Sequence, residues 1–575
     1  MTASLRPPPD ESYVHCLDAL LRDTPENAVS LYGLSLLNET IGDTVRADEY
    51  RQAAEKLMPG LSLLHPDDLS RPVKQNPETA ADPGDGSREN PYKIYTAQQL
   101  DDVRKNLSAH YILMDTIDLQ GYDNWQPIGS DPENGFCGSL NGDGHRITHL
   151  QISGGKGPCG LFGYVDGAEL KNIGILHMEV KGGEYVGGLV GSADSAMILS
   201  CSAAGRVRGT GFAGGLIGSA AGTSVSSSFA AGSVHGMTAT GGLLGMADGV
   251  SITSGFASGS VRGTFNVGGM IGRAEGTSVS SSFAAGSVRG MTDTGGLLGT
   301  ADGVSVTSSF ASGSVRGTNN VGGLIGRAEG TTVITGFSAG RVQGKEFVGG
   351  LTGTLECSMV LSSFAAGMVS GEAAVGGVTG AAQDSLVRSG CALGKVSGDR
   401  NAGGVAGFLH NSSLTDCYAA GTADGDQSVG GIAGYALGGG VAFCYAAGCV
   451  RGTGEVGGLL GTAAGRVCIS DSFALNPEVS GTENTGAVIG AKVAGAKITA
   501  ETCFFVRIPG CAGVSKKYGG KSVPPATVWD TFPGGAWKGF DTNIWTANSG
   551  NANYCLPVLH WQKSLPLADA RHLKE

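Results

Sequence analysis

Charged side chains make up only 16% of this chain and aromatic ones only 6%. Hydrophobic residues still reach 41%, so the low charge does not describe a disordered polymer, and the composition departs from that of an ordinary globular domain. Basic residues fall short of acidic ones, 39 against 51, for a net charge of −12. That deficit excludes a general nucleic-acid binder, which needs cations in excess over phosphate. No apolar run approaches the roughly twenty residues that a membrane-crossing helix requires. The opening MTASLRPPPDESYVHCLDALL lacks a basic stretch followed by an apolar one, so no Sec-type signal is visible. The expectation is a chain without a membrane span, cytoplasmic or exported by another route. The 13 cysteines include no C-x-x-C pair, which fits neither a zinc cluster nor a closed disulfide framework and predicts mostly reduced thiols. H-E-x-x-H, a Walker-type G-x-x-x-x-G-K-[ST] and a G-x-S-x-G with triad partners are absent too, and neither a metal nor a cofactor is expected.

What the sequence does have is glycine, 99 residues of it, placed periodically. A GGxxG pentad begins at Gly187, Gly214, Gly241, Gly268, Gly295, Gly322, Gly349, Gly376, Gly403, Gly430 and Gly457, always 27 residues apart. Variants CGLFG from Cys159 and GAVIG from Gly486 flank the run at 28 and 29 residues, as terminal repeats do. In GGLLGTADGVSVTSSFASGSVRGTNNV, from Gly295, short β-branched segments alternate with glycines, and no stretch is long enough for a helical stripe. The unit predicts one coil of a mainly β fold, a right-handed parallel β-helix spanning residues 159–500. Residues one period apart then stack about 4.8 Å from each other, and the array makes a rod of about 50 Å.

Columns can be read on that assumption. The third pentad position, from Leu189 through Met270 to Leu459, is never polar and predicts an inward ladder. Two more apolar columns, Phe229 to Phe364 continued by Cys391, Tyr418 and Tyr445, and Val207 to Val396, predict two further inward segments. Glycine columns Gly205 to Gly448 and Gly209 to Gly452 predict corners, where positive φ or close approach of the next coil excludes a side chain. Residues 214–267 and 268–321 are nearly identical, a duplication that lengthens the rod.

The ends differ. Residues 1–66 carry helical periodicity in ESYVHCLDALLRD and TVRADEYRQAAEKLM, and proline-rich residues 67–90 read as a linker. Residues 91–158 read as an N-terminal cap, with Thr96 and Gln99 forming a capping box, and residues 501–575, holding four tryptophans, as a C-terminal cap. The repeated pentads, with NPYKIYTAQQL, IDLQGYDNWQPIG, FCGSLNGDGHRI and CGLFGYV before them and YCLPVLHWQ after, resemble GLUG-type repeat arrays over residues 90–562. That resemblance implies a bacterial surface-exposed or secreted protein, adhesin-like in role, although the missing signal departs from the pattern.

Two charged columns are the candidate binding residues. Arg208, His235, Arg262, Arg289 and Arg316, resumed at Arg451, lie beside the valine column and face outward, toward an anionic glycan or a protein carboxylate surface. Alternatively, they only discourage sideways association. Asp248, Glu275, Asp302, Glu329 and Glu356 form an acidic column, with Arg273 and Arg327 two residues earlier in alternate coils. It reads as a solvated face partly neutralised by those arginines, or as calcium ligands or acid and base groups. The fourth pentad position, Val190 to Ile325 and later Thr352, Thr379 and Ala406, predicts either a half-exposed stripe that docks the helical unit or a partner, or a buried corner. Cys417 and Cys444 share a column as small buried thiols or a disulfide pair. Functionally the sequence points to a non-enzymatic display or binding rod. A polysaccharide-active β-helix enzyme and an effector exported through its N-terminal region are the rivals.

Overall fold

The structure, a computed structural model, describes residues 83–129, 131–155 and 157–506, short pieces at 521–523, 532–533, 537–546 and 556–559, and positions 49 and 52. The helical unit expected over 1–66 and most of the linker over 67–90 lie outside the described residues.

Strands make up 56% of the structure and helix 3%, wound as a parallel β-solenoid of about 15 turns. In the coil from Gly295, Leu298–Asp302 and Ser305–Thr307 belong to one long sheet. Phe310–Ala311, Val315–Arg316 and Asn319–Gly322 belong to the other. Each strand pairs in parallel with its equivalent in the next coil: Leu298 with Ile325, Phe283 with Phe310, Val288 with Val315. The vertical registry that the period demands is therefore present. Parallel pairing continues above the regular pentads, from Tyr92 to Tyr111, Leu140 and Leu170. Near that end, Ala97–Asp101 forms a helix with the Thr96–Gln99 capping box in place, and Leu100 and Val103 are buried in the main core.

The core is divided. The main cluster takes the third and fourth pentad residues, such as Leu297 and Leu298, with Ala301, Val304, Val306 and Ala311. A second, narrower cluster pairs the valine column with the residue before each pentad, as in Val315 with Val321. The fourth pentad residues from Val190 to Ala433 are all fully buried, so the half-exposed stripe is not there and the buried reading holds.

The aromatic column corrects the expected third inward ladder. Ala284 and Ala311 belong to the main core, whereas Phe283 and Phe310 belong to neither cluster. A Cβ on Gly296 would lie 2.9 Å from that of Ala311, so the alanine points at the pentad glycine inside the coil. Its strand neighbour Phe310 then points to the opposite face. Alanine is the inward residue because a backbone carrying the paired glycine comes too close for a larger one.

The corners are also turned by residues outside the expected glycine columns. Ser227, Ser254, Ser281 and Ser308 take φ of 47°, 54°, 48° and 47°. This left-handed conformation is unusual for a non-glycine residue. The following residue makes it tolerable: Ser282 Oγ accepts the N–H of Gly255 at 3.0 Å and donates to the carbonyl of Ser280 at 2.8 Å. Thr277, Thr331, Ser358, Ser385 and Ser412 repeat the device at a second corner. In the expected column Gly205, Gly232 and Gly259 do take positive φ, of 153°, 133° and 113°, and the column also serves close approach. A Cβ on Gly286 would sit 1.7 Å from the carbonyl oxygen of Gly259 in the coil above.

Candidate functional site: two charged columns on separate sheets

The basic column is built by the strand that buries the valines. Side chains alternate, so with Val207, Val234, Val261, Val288 and Val315 inside, the next residue faces water. Register places Arg208 beside His235, then Arg262, Arg289 and Arg316 in consecutive coils, every one exposed. Lys181 pairs with Arg208 and extends the column upward by one coil. Stepping back 27 residues from Arg208 would have found it in the sequence. Among the described residues, Arg208, Arg262 and Arg289 have no acidic partner. Further down, Arg316 donates to the neutral amide of Gln343 at Oε1, 2.8 Å away, and the charge is offset only lower in the column, where Arg451 pairs with Glu478 at 2.7 Å. Asp424, in the same column, pairs with Lys395 at 2.6 Å. The unpaired cations are thus confined to the upper coils.

Exposed apolar residues border this stretch. Met237, Phe265 and Met291 are 55%, 53% and 55% exposed, two or three residues beyond His235, Arg262 and Arg289. Adjacent coils hold them together, with the Phe265 N–H donating to the Met237 carbonyl at 2.9 Å. Sequence reasoning missed this border because it concentrated on invariant columns, and Met237 and Met291 recur only in alternate coils.

The acidic column lies on the other sheet. Asp248, Glu275, Asp302, Glu329 and Glu356 are in consecutive register. Arg273 pairs with Glu275, and Arg327 bridges two coils, reaching Glu329 at 3.1 Å and Glu356 at 3.0 Å. Hydrogen bonding to Glu356 pushes the Arg327 pKa up from its ordinary value. This matches the partly neutralised surface. Among the described residues, no cluster of three or more His, Cys, Asp or Glu is placed to hold a metal ion. The two columns lie on separate sheets, and no described hydrogen bond or ion pair joins them.

Cys417 and Cys444 are buried, free thiols in adjacent coils. They stand where other coils place a corner serine: Cys444 Sγ accepts the N–H of Cys417 at 3.4 Å and donates to the carbonyl of Ala442 at 3.1 Å. Burial pushes the Cys444 thiol well up and the Cys201 thiol to about 12, so neither is a ready nucleophile.

The outer aromatic column meets the C-terminal segment. Trp537 lies 4.3 Å from Phe473 between ring centroids, and Trp545 5.7 Å from Tyr445. The Trp545 indole N–H donates to Asp416 Oδ1 at 3.1 Å, and the Tyr445 hydroxyl donates to the Pro557 carbonyl at 2.9 Å. Among the described residues, Arg388 also reaches Asp416, at 3.3 Å, and burial raises its carboxyl pKa.

These features define a glycine-rich parallel β-solenoid with charged outer columns. Residues 182–208 match the GLUG motif. A protein of Evansella cellulosilytica, provisionally designated a Gly-rich membrane protein, is 44% identical over 90 residues, 14% of this chain and 10% of that protein. Halomucin of Haloquadratum walsbyi is 34% identical over 97 residues, 15% of this chain and 1% of its own length. The chain thus matches a tenth or less of each. A Bacteroides ovatus structure, provisionally designated an immunoglobulin A1 protease, aligns over 83% of this chain and 94% of its own at 16% identity and a TM-score of 0.21. An IgA1 protease aligns over 42% and 21% at 17% identity and 0.34.

Proposed function

We propose that the chain is a non-catalytic, surface-displayed or secreted binding rod whose upper basic column engages an anionic glycan. The observation that carries this reading is the run Lys181, Arg208, His235, Arg262, Arg289 and Arg316, one residue per coil, largely without acidic partners on a molecule of net charge −12. Stacked cations one strand spacing apart repel each other. A polymer with regularly repeated carboxylate or sulfate groups relieves that repulsion along the whole column at once and gains from multivalency. The exposed ring of Phe265 offers an apolar contact to a sugar beside the charges. The GLUG motif and the names of the sequence relatives fit display outside the cell. Separation of the acidic and basic columns on different sheets weighs against the polysaccharide-active enzyme.

The test measures retention of the full chain on sulfated and uronic-acid polysaccharides. Arg208→Ser/Arg262→Ser/Arg289→Ser is expected to lose at least tenfold in affinity and to show a shallower salt dependence. Equal binding by the variant overturns the assignment of the column. Release of sugar fragments by the wild type overturns the non-catalytic reading.

A further inference from the structure

Phe229, Phe256, Phe283 and Phe310 stack in consecutive coils on the outward face of their strand, yet they are only 6%, 1%, 1% and 6% exposed. Stacking hides the faces of such rings and leaves their outer edges to be covered by something lying across the column. At the lower end of the same column that cover is visible, because Trp537, Phe540 and Trp545 pack on Phe473, Tyr445 and Tyr418. Among the described ring contacts of this C-terminal segment, Tyr418 is the highest reached.

We propose that the upper aromatic track, Phe229 to Phe310, is the docking surface for the chain's own N-terminal unit, residues 1–66, which lays an apolar helical face across the rings. In the sequence, Tyr13, Val14, Leu17, Leu20 and Leu21 recur at the three- and four-residue spacing that makes one helical face. The thirteen residues 11–23 would form a helix of about 20 Å, and four stacked coils span about 14 Å between the first ring and the last. Tyr92 lies five coil steps above the coil of Phe229, through Tyr111, Leu140, Leu170, Ile198 and Val225. That is about 24 Å, and a 24-residue extended linker can reach about 80 Å. The fourth pentad column offers no alternative dock, because it is sealed inside the core. Docking here leaves the basic column exposed and keeps a long apolar strip from recruiting other chains.

The test places the photoreactive analogue p-benzoylphenylalanine at position 283 of the full chain and maps the cross-links formed at low protein concentration. Intrachain cross-links to residues 11–23 are expected. Cross-links to residues 560–575 alone, cross-links that grow with protein concentration, or none at all overturn the proposal. As a second measurement, Leu17→Asp/Leu21→Asp in the full chain is expected to raise the fluorescence of an apolar-surface dye at least twofold while the strand signal in circular dichroism stays unchanged. Unchanged dye fluorescence likewise overturns it.

Discussion

At the scale of single residues, the solenoid depends on small polar side chains at its corners. A left-handed serine followed by a buried hydroxyl is a non-obvious way to turn a chain, since both features are costly unless the hydroxyl pairs with the backbone. Here each hydroxyl accepts an N–H from the coil before and donates to a carbonyl two residues back, as Ser282 does. Cys444 fills the same role with a thiol. Cys444→Ser is therefore expected to change stability by less than about 1 kcal/mol. Cys444→Val, which strands the Cys417 N–H, is expected to cost about 1–3 kcal/mol. Chemical denaturation of the two variants checks this, and equal loss in both would show that the corner needs only volume. Of the two readings open for these cysteines, small buried thiols or a disulfide pair, the structure holds the first, and their place as a hydrogen-bonding position was not part of either. The neighbouring serines, Ser228, Ser282 and Ser309, were the available signal, since they occupy the same place in the repeat.

At the scale of elements, the C-terminal segment is held to the solenoid by apolar rings and by one buried carboxylate. Asp416 accepts the indole N–H of Trp545, and its side chain is 5% exposed beside Arg388. Its folded pKa lies above the ordinary 3.8 because burial disfavours the charge more than its partners restore it. The folded state thus binds this proton more tightly than the unfolded chain. The stabilisation is complete below 3.8 and is lost as pH rises through the raised folded value. Asp416→Asn removes that titration. The wild type is expected to lose thermal stability relative to the variant as pH rises above 3.8, read as the difference between their melting temperatures. A constant difference across that range would mean that Asp416 titrates normally. The sequence expected a tryptophan-rich cap but not its place on an outer column. Trp545 and Asp416 are 129 residues apart, and no local pattern pairs them.

At the scale of the whole molecule, each coil is a repeat of nearly the same interactions with its neighbours, so length should be adjustable in whole coils. Removing residues 268–321, which nearly duplicate 214–267, joins Val267 to Gly322 in the same register that now joins it to Gly268. The shortened chain is expected to fold cooperatively, with its long dimension reduced by about 10 Å in small-angle scattering. Removing one residue fewer should abolish cooperative unfolding, because the slip turns inward side chains outward in the next coil. The period, the parallel stacking, the pentad ladder, the charged columns and the capping box were all legible in the sequence, because each is a repetition that 27-residue steps reveal. Facing was less so. Phe310 and Ala311 are adjacent and both buried, and alternation alone says that they point to opposite faces without saying which face is the core. Only the folded chain decided that the alanine goes in, against the pentad glycine, and the ring goes out. It alone also brought the C-terminal tryptophans onto that ring column, because contacts between residues so distant in sequence come from the path of the chain in space and leave no periodic trace.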